Sequence, residues 1–287
     1  MAKIDDYQED GMVRNPSVAG QFYRSDPNGL KRQVESCFLH DLGPGKLPEL
    51  GEAERDIIAS VVPHAGYMYS GPAAAHVYFE LAKQKKPETI ILLGPNHTGY
   101  GSMVATTNEA WKMPLGTIDI DEVLANSLWK TCNVIDLDEM AHRFEHSIEV
   151  QLPFLQYIYE DFKFVPISLG MQELETSEEI AECLSRIEKD ILVVASSDFT
   201  HYESKEDASR KDGRAIEAIL NLDEKKFINT VYDLDISICG YGPIAVAIST
   251  AKKLGATKAK LLKYMSSGDI TGDYRQVVAY AGIVFQK

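Results

Sequence analysis

Four short apolar runs constrain this chain most: IIASVV (57–62), TIILL (89–93), FVPISL (164–169) and ILVVA (191–195). A strand with one wet face alternates apolar and polar residues, and these runs do not, so they read as strands covered on both sides. Between them lie helical patterns at residues 72–83, 121–130, 147–159, 176–188, 204–220 and 243–254. Thr176 and Glu179 have the spacing of a capping box, and Pro153 should disturb the third helix. Two β-rich stretches, 260–265 and 276–285, predict an antiparallel edge. The alternation predicts an α/β protein, a single layered domain over 1–287 with a mixed, mostly parallel central sheet flanked by helices. Residues 1–12 are expected to form a loose tail.

Composition narrows the function classes. With 43 acidic against 29 basic residues the formal charge is −14, which argues against a phosphate-binding surface, and no nucleic-acid partner is expected. No segment approaches the roughly 18 uninterrupted apolar residues of a membrane span, and the N-terminus has no apolar leader, so the expected location is cytoplasmic, with no membrane partner. Cys37, Cys132, Cys183 and Cys239 show no C-x-x-C pair, so neither a disulfide framework nor a zinc ribbon is expected. Asn96-His97-Thr98 matches a glycosylation sequon that lacks a secretory context. P-loop, G-x-G-x-x-G and G-x-S-x-G patterns are missing.

Three of the apolar runs end in chemistry-bearing residues. IIASVV leads into Pro63-His64-Ala65-Gly66, TIILL into Gly94-Pro95-Asn96-His97, and ILVVA into Ser196-Ser197-Asp198-Phe199-Thr200-His201. Ligands of open α/β sheets bind at the carboxyl ends of the strands, so parallel neighbours would bring His64, His97, Asp198 and His201 together. Cys239, in SICGYGP before an apolar helix pattern that Pro243 would open, is expected near a helix N-terminus, where the dipole favours thiolate. A competing cluster, His142-Arg143-Phe144-Glu145-His146, fits H-x-x-E-H, the zinc-hydrolase pattern with two histidine ligands, to which Glu217 or Glu224 would add a third.

The segments VAGQFY (18–23), PHAGYMYSGPAAAHVY (63–78), LLGPNHTGYG (92–101), EHSIEVQLPFLQ (145–156), SSDFTHY (196–202) and ICGYGPI (238–244) together resemble the Memo family. The resemblance implies a fold similar to the class III extradiol dioxygenases, enzymes of non-haem iron(II). It implies metal ligands at His64, His97 and Cys239, with Asp198 and His201 beside them and His146 near the pocket. Thiolate in place of the usual dioxygenase carboxylate softens the site, so iron(II) and copper are the first candidates for the single metal ion and zinc follows. Two main function classes fit. One is a metal-dependent oxidoreductase in which His201, His146 or Asp198 serves as catalytic acid/base. The other is a non-enzymatic adaptor that binds a small molecule or peptide in the same cleft. The H-x-x-E-H hydrolase is a third, and relatives of the family imply a pathway link to a radical-SAM protein.

Overall fold

The computed structural model describes residues 13–287; the tail expected at 1–12 lies outside the described residues. The chain opens with β1 (Val13–Arg14), α1 (Pro27–Leu39), β2 (Ile57–Val62), α2 (Tyr67–Leu81) and β3 (Thr89–Pro95), then β4 (Val104–Thr106), β5 (Ala110–Met113) and β6 (Gly116–Ile118). Next come α3 (Glu122–Thr131), β7 (Asp136–Leu137), α4 (Met140–Arg143), a 3-10 turn at Glu149–Gln151, α5 (Leu152–Tyr159) and β8 (Phe164–Leu169). The last third holds α6 (Leu174–Ser185), β9 (Ile191–Ser196), β10 (His201–Glu203), α7 (Lys205–Leu220), α8 (Glu224–Asp233), α9 (Tyr241–Lys253), β11 (Lys258–Ser266), α10 (Ser267–Thr271) and β12 (Val277–Gln286).

The main sheet runs β10-β12-β2-β9-β3-β8-β4-β7, and β11 pairs with β12. Its centre, β2, β9, β3 and β8, is parallel. β12 runs antiparallel to β2 and to β11, and β4 antiparallel to β8, so the sheet is mixed with the antiparallel C-terminal edge that the sequence suggests. Every residue of β2, β3, β8 and β9 is buried, which requires cover on both faces. α1, α2 and α5 pack together on one side, and α9, backed by α6 and α8, lies against β2, β9 and β3. One contiguous buried cluster extends from Tyr23 to Phe285.

Several local expectations are corrected. α2 starts at Tyr67 and carries Pro72 inside it, where the sequence suggested a start at Pro72. The proline removes one helical N–H, the one that would have met the carbonyl of Met68, a residue 62% exposed near the start of the helix. Thr176 and Glu179 lie inside α6, whose N-cap is Glu173 without a side-chain cap, so the capping box is not formed. The helix expected over 147–159 is divided into the 3-10 turn and α5, with Pro153 in the first turn of α5, where its missing N–H costs nothing. Cys132 and Cys183 form a disulfide across 51 residues, joining the end of α3 to α6.

The N-terminal segment is clamped by a buried ion pair. Arg14 meets Glu149 at 2.8 Å, their side chains 2% and 0% exposed. Arg14 also donates to the carbonyls of His142 (2.7 Å) and Glu145 (2.6 Å) and lies 3.9 Å above the Trp111 ring. Glu149 accepts from Ser17 N (2.8 Å), Ser17 Oγ (2.9 Å), Val18 N (3.0 Å) and Tyr23 Oη (2.6 Å). Burial disfavours its charge, yet Arg14 and these donors hold the carboxyl below the ordinary glutamate range.

Two outcomes are expected. Arg14→Met strands the buried Glu149 charge and should lower unfolding free energy by about 3–5 kcal/mol near neutral pH. Without Arg14, burial raises the carboxyl above the ordinary glutamate value of about 4.3, so the deficit should begin to narrow above that pH and keep narrowing down to the lowered wild-type value. Urea titrations at several pH values check this, and a pH-independent deficit contradicts it. Cys183→Ala, which releases the 51-residue loop, should cost about 4 kcal/mol by the chain-entropy estimate and lower the thermal midpoint, as should reduction of the wild-type chain.

Candidate metal centre

The parallel strands β2, β9 and β3 are neighbours, and their carboxyl ends deliver Pro63-His64, Ser197-Asp198 and Asn96-His97 to one edge of the sheet. Cys239 arrives from the opposite layer, just ahead of the Gly240 N-cap of α9. Gly240 is required there: a Cβ on it would lie 2.6 Å from the Ser196 carbonyl and 2.7 Å from Ser197 Cβ. Gly240 N donates to Ser197 Oγ at 2.9 Å, and Asp198 N donates to Cys239 Sγ at 3.3 Å.

His64, His97 and Cys239 can each present a ligand atom such that all lie within 4.8 Å of one another. Cys239 Sγ is 3.2 Å from His64 Nε2. The His64 and His97 rings meet edge to face, centroids 5.2 Å apart. His146 completes an imidazole cluster, stacked on His97 at 4.7 Å, edge-on to His64 at 5.4 Å and packed on its far side against Phe22 at 4.9 Å.

Glu145, 1% exposed, organises this corner. Its Oε2 accepts from His97 N (2.6 Å), and its Oε1 accepts from His146 N and Ser147 N (both 2.9 Å) and lies 2.9 Å from His97 Nδ1. Burial opposes the charge, but the His97 hydrogen bond, the two nearby imidazoles and the Ser147 amide hold the carboxyl at about 2. An ionised carboxylate can only accept, so the neutral form of the His97 ring carries its proton on Nδ1 and presents its lone pair on Nε2. A second ligand grouping, His97, Glu145 and His146, exists by distance, but Glu145 already spends its oxygens on these N–H groups.

Asp198 is 4% exposed; its Oδ1 accepts from His64 N (2.9 Å) and Ala65 N (3.3 Å), and its Oδ2 lies 4.0 Å from His64 Nε2. Burial pushes its carboxyl up to about 6. Burial also pushes the His64 imidazolium far down, so this ring is neutral. The Cys239 thiol is raised, by burial first and the nearby Asp198 second. Cys239 does stand just ahead of the N-terminus of α9, as expected, and there the helix dipole, which favours thiolate, is opposed by desolvation, which favours the thiol.

The other sequence-predicted groups divide. His201 leads the short β10, where its N–H bonds Ser237 Oγ and its Nδ1 lies 2.8 Å from the Ser237 carbonyl; it is not in the imidazole cluster. His142 is 1% exposed, with Nε2 3.1 Å from the Ala105 carbonyl and its ring beside Trp111. Its helix, α4, ends at Arg143, so the chain turns between His142 and His146, and the H-x-x-E-H pattern brings no pair of histidine ligands together. Among the described residues His142 belongs to neither ligand grouping. Asn96, of the glycosylation-like triplet, uses Oδ1 to accept from the Thr98 and Gly99 amides and Nδ2 to bond the Tyr100 carbonyl, which shapes the His97 turn.

Sequence reasoning passed over Glu145 as an orienting group, together with Glu149, Gln151 and Ser196. The available signal was polarity inside an apolar face: Glu149 and Gln151 sit among Ile148, Val150 and Leu152, and Ser196 continues the run ILVVA. Buried polar groups in such positions need partners, and the partners lie around the site.

The donor set suits a metal ion. Two imidazoles have Nδ1 engaged by buried polar groups of the protein and Nε2 left for ligation, with a thiol beside them, the arrangement by which outer-shell partners orient histidine ligands. No helix among the described residues is long and apolar enough to cross a membrane.

The chain resembles known proteins in sequence and in fold. An Escherichia coli K12 protein, described as uncharacterized, has a similar fold, with a TM-score of 0.52 at 16% identity over 79% of this chain and 99% of its own. The chain is 50% identical over 282 residues to a MEMO1 family protein of Methanopyrus kandleri, covering 96% of this chain and 100% of that one. It is 47% identical over 285 residues to a MEMO1 family protein of Methanocaldococcus jannaschii, covering 96% and 99%. The model of the Memo-like protein family matches residues 14–284, and the chain belongs to that family.

Proposed function

We propose that the protein is a cytoplasmic, metal-dependent oxidoreductase acting on a small organic molecule, with a mononuclear centre held by His64, His97 and Cys239. One observation carries this reading: both imidazoles have Nδ1 engaged by buried protein groups while His64 Nε2 faces the Cys239 sulfur at 3.2 Å. Iron(II) or copper, when bound, would supply one-electron chemistry with dioxygen, whereas zinc would supply Lewis acidity alone. The likeness to class III extradiol dioxygenases belongs to this proposal.

The chain's own groups have distinct tasks. His64, His97 and Cys239 bind. Glu145 fixes the His97 ring and, through the amides of His146 and Ser147, the start of the segment that carries His146. His146 is stacked on His97 with Nδ1 3.4 Å from Glu145 Oε1 and its side chain 22% exposed, which suits it to take a proton from substrate. Asp198, set near neutrality by burial, suits the return of a proton through Oδ2. His201, fixed on Ser237, serves at the margin of the site by polarity and position.

Metal analysis of anaerobically purified protein should give one ion per chain. His97→Ala and Cys239→Ser should each weaken binding by more than about 100-fold, beyond the loss usual for an orienting partner. Undiminished metal content in both variants would sink the site. The iron(II)- or copper-loaded wild type should consume dioxygen in the presence of its substrate, and His146→Gln should slow turnover by about 100-fold while leaving metal content intact. Tight ligand binding without oxygen uptake under any metal would favour the adaptor alternative.

A further inference from the structure

We infer that Ser196, held by Gln151, is a positioning residue that sets the tautomer of His64 and so leaves the ring nitrogen that faces Cys239 without a proton. The inference follows from counting hydrogens at one buried hydroxyl. Ser196 Oγ has three neighbours within hydrogen-bond distance: the Ser147 carbonyl at 2.6 Å, Gln151 Nε2 at 2.7 Å and His64 Nδ1 at 2.9 Å. The carbonyl only accepts, so the single hydroxyl hydrogen goes to Ser147. Gln151 Nε2 only donates, and its orientation is pinned: the same nitrogen bonds the Pro63 carbonyl at 3.0 Å while Oε1 accepts from Tyr78 Oη at 2.7 Å. With its hydrogen committed, Ser196 can only accept from His64. The ring therefore carries its proton on Nδ1, and the Nε2 lone pair points to the Cys239 sulfur.

Burial makes this assignment firm. Ser196, Gln151, Ser147 and His64 are each 2% exposed or less, and Tyr78 is fully buried, so water does not compete for these bonds. A reversed amide would set Oε1 against the Pro63 carbonyl, an unpaired buried acceptor facing another acceptor. The relay also ties strand ends together: Pro63 follows β2, Ser196 ends β9, and Ser147 Oγ donates to the carbonyl of Pro95 at the end of β3. The tautomer claim stands without any metal; only its effect on affinity rests on the proposed centre.

The test is long-range proton–nitrogen correlation on histidine-labelled, metal-free full-length chain at pH 8, with the His64 signals identified by their loss in His64→Gln. Wild type should show the Nδ1-protonated form. Ser196→Ala should reduce that form in favour of Nε2 protonation and lower zinc(II) affinity by about 10–100-fold in chelator competition, and Ser196→Thr, which restores the hydroxyl, should recover both. Nε2 protonation in the wild type overturns the inference even if no variant folds, and so does an unchanged tautomer in Ser196→Ala. A tautomer shift restored by threonine upholds it even if the wild type binds no zinc, an outcome that would count against the metal centre alone.

Discussion

The Glu145 carboxylate is the constraint around which the site is arranged. It is charged and nearly sealed from water, a state that a protein tolerates only when every accepting position meets a donor. The donors come from the His97 loop after β3 and from the residues that follow Glu145 itself. Satisfying one anion thus fixes the His97 ring and the backbone at His146 together, and the His97 ring cannot rotate without leaving the carboxylate short of a partner.

Glu145 belongs to a short segment in which three polar side chains face inward to three different parts of the molecule. Glu145 reaches the His97 loop, Glu149 takes the N-terminal residues and Arg14, and Gln151 holds Pro63 and Ser196. The 3-10 turn and the proline that follows it shape this stretch so that the three residues serve separate neighbours. A continuous α-helix would have set Glu145 and Glu149 on one face. Arg14 bridges two of these positions by also bonding the Glu145 carbonyl, so the packing of the N-terminal segment and the orientation of the imidazoles are mechanically joined.

The strand cores were legible because burial on both faces leaves an unbroken apolar signature: IIASVV and FVPISL coincide with β2 and β8. The meeting of His64, His97 and Asp198 was legible for the same reason, since parallel neighbours must release their ends on one side. What escaped was governed by contacts distant in sequence. The Cys132–Cys183 bond has no spacing signature, because 51 residues separate its ends. The start of α2 was obscured by Pro72, which reads as a helix opening but lies inside the helix. The polarity of Ser196 and Gln151 could be seen, but their partners lie 45 to 132 residues away.

His64 and Cys239 are separated by 175 residues, and the contact between them closes only after β2, β9 and α9 have taken their places. Closing a loop of that length costs chain entropy, so the contact depends on the packed strands and helix that hold its two ends. An ion that recognises only the finished arrangement acts as a thermodynamic ratchet on folding, adding RT ln(1 + [ion]/Kd) to stability and nothing to the disordered chain. A metal ion held as proposed would thus tie its own supply to the fraction of the chain that stays folded.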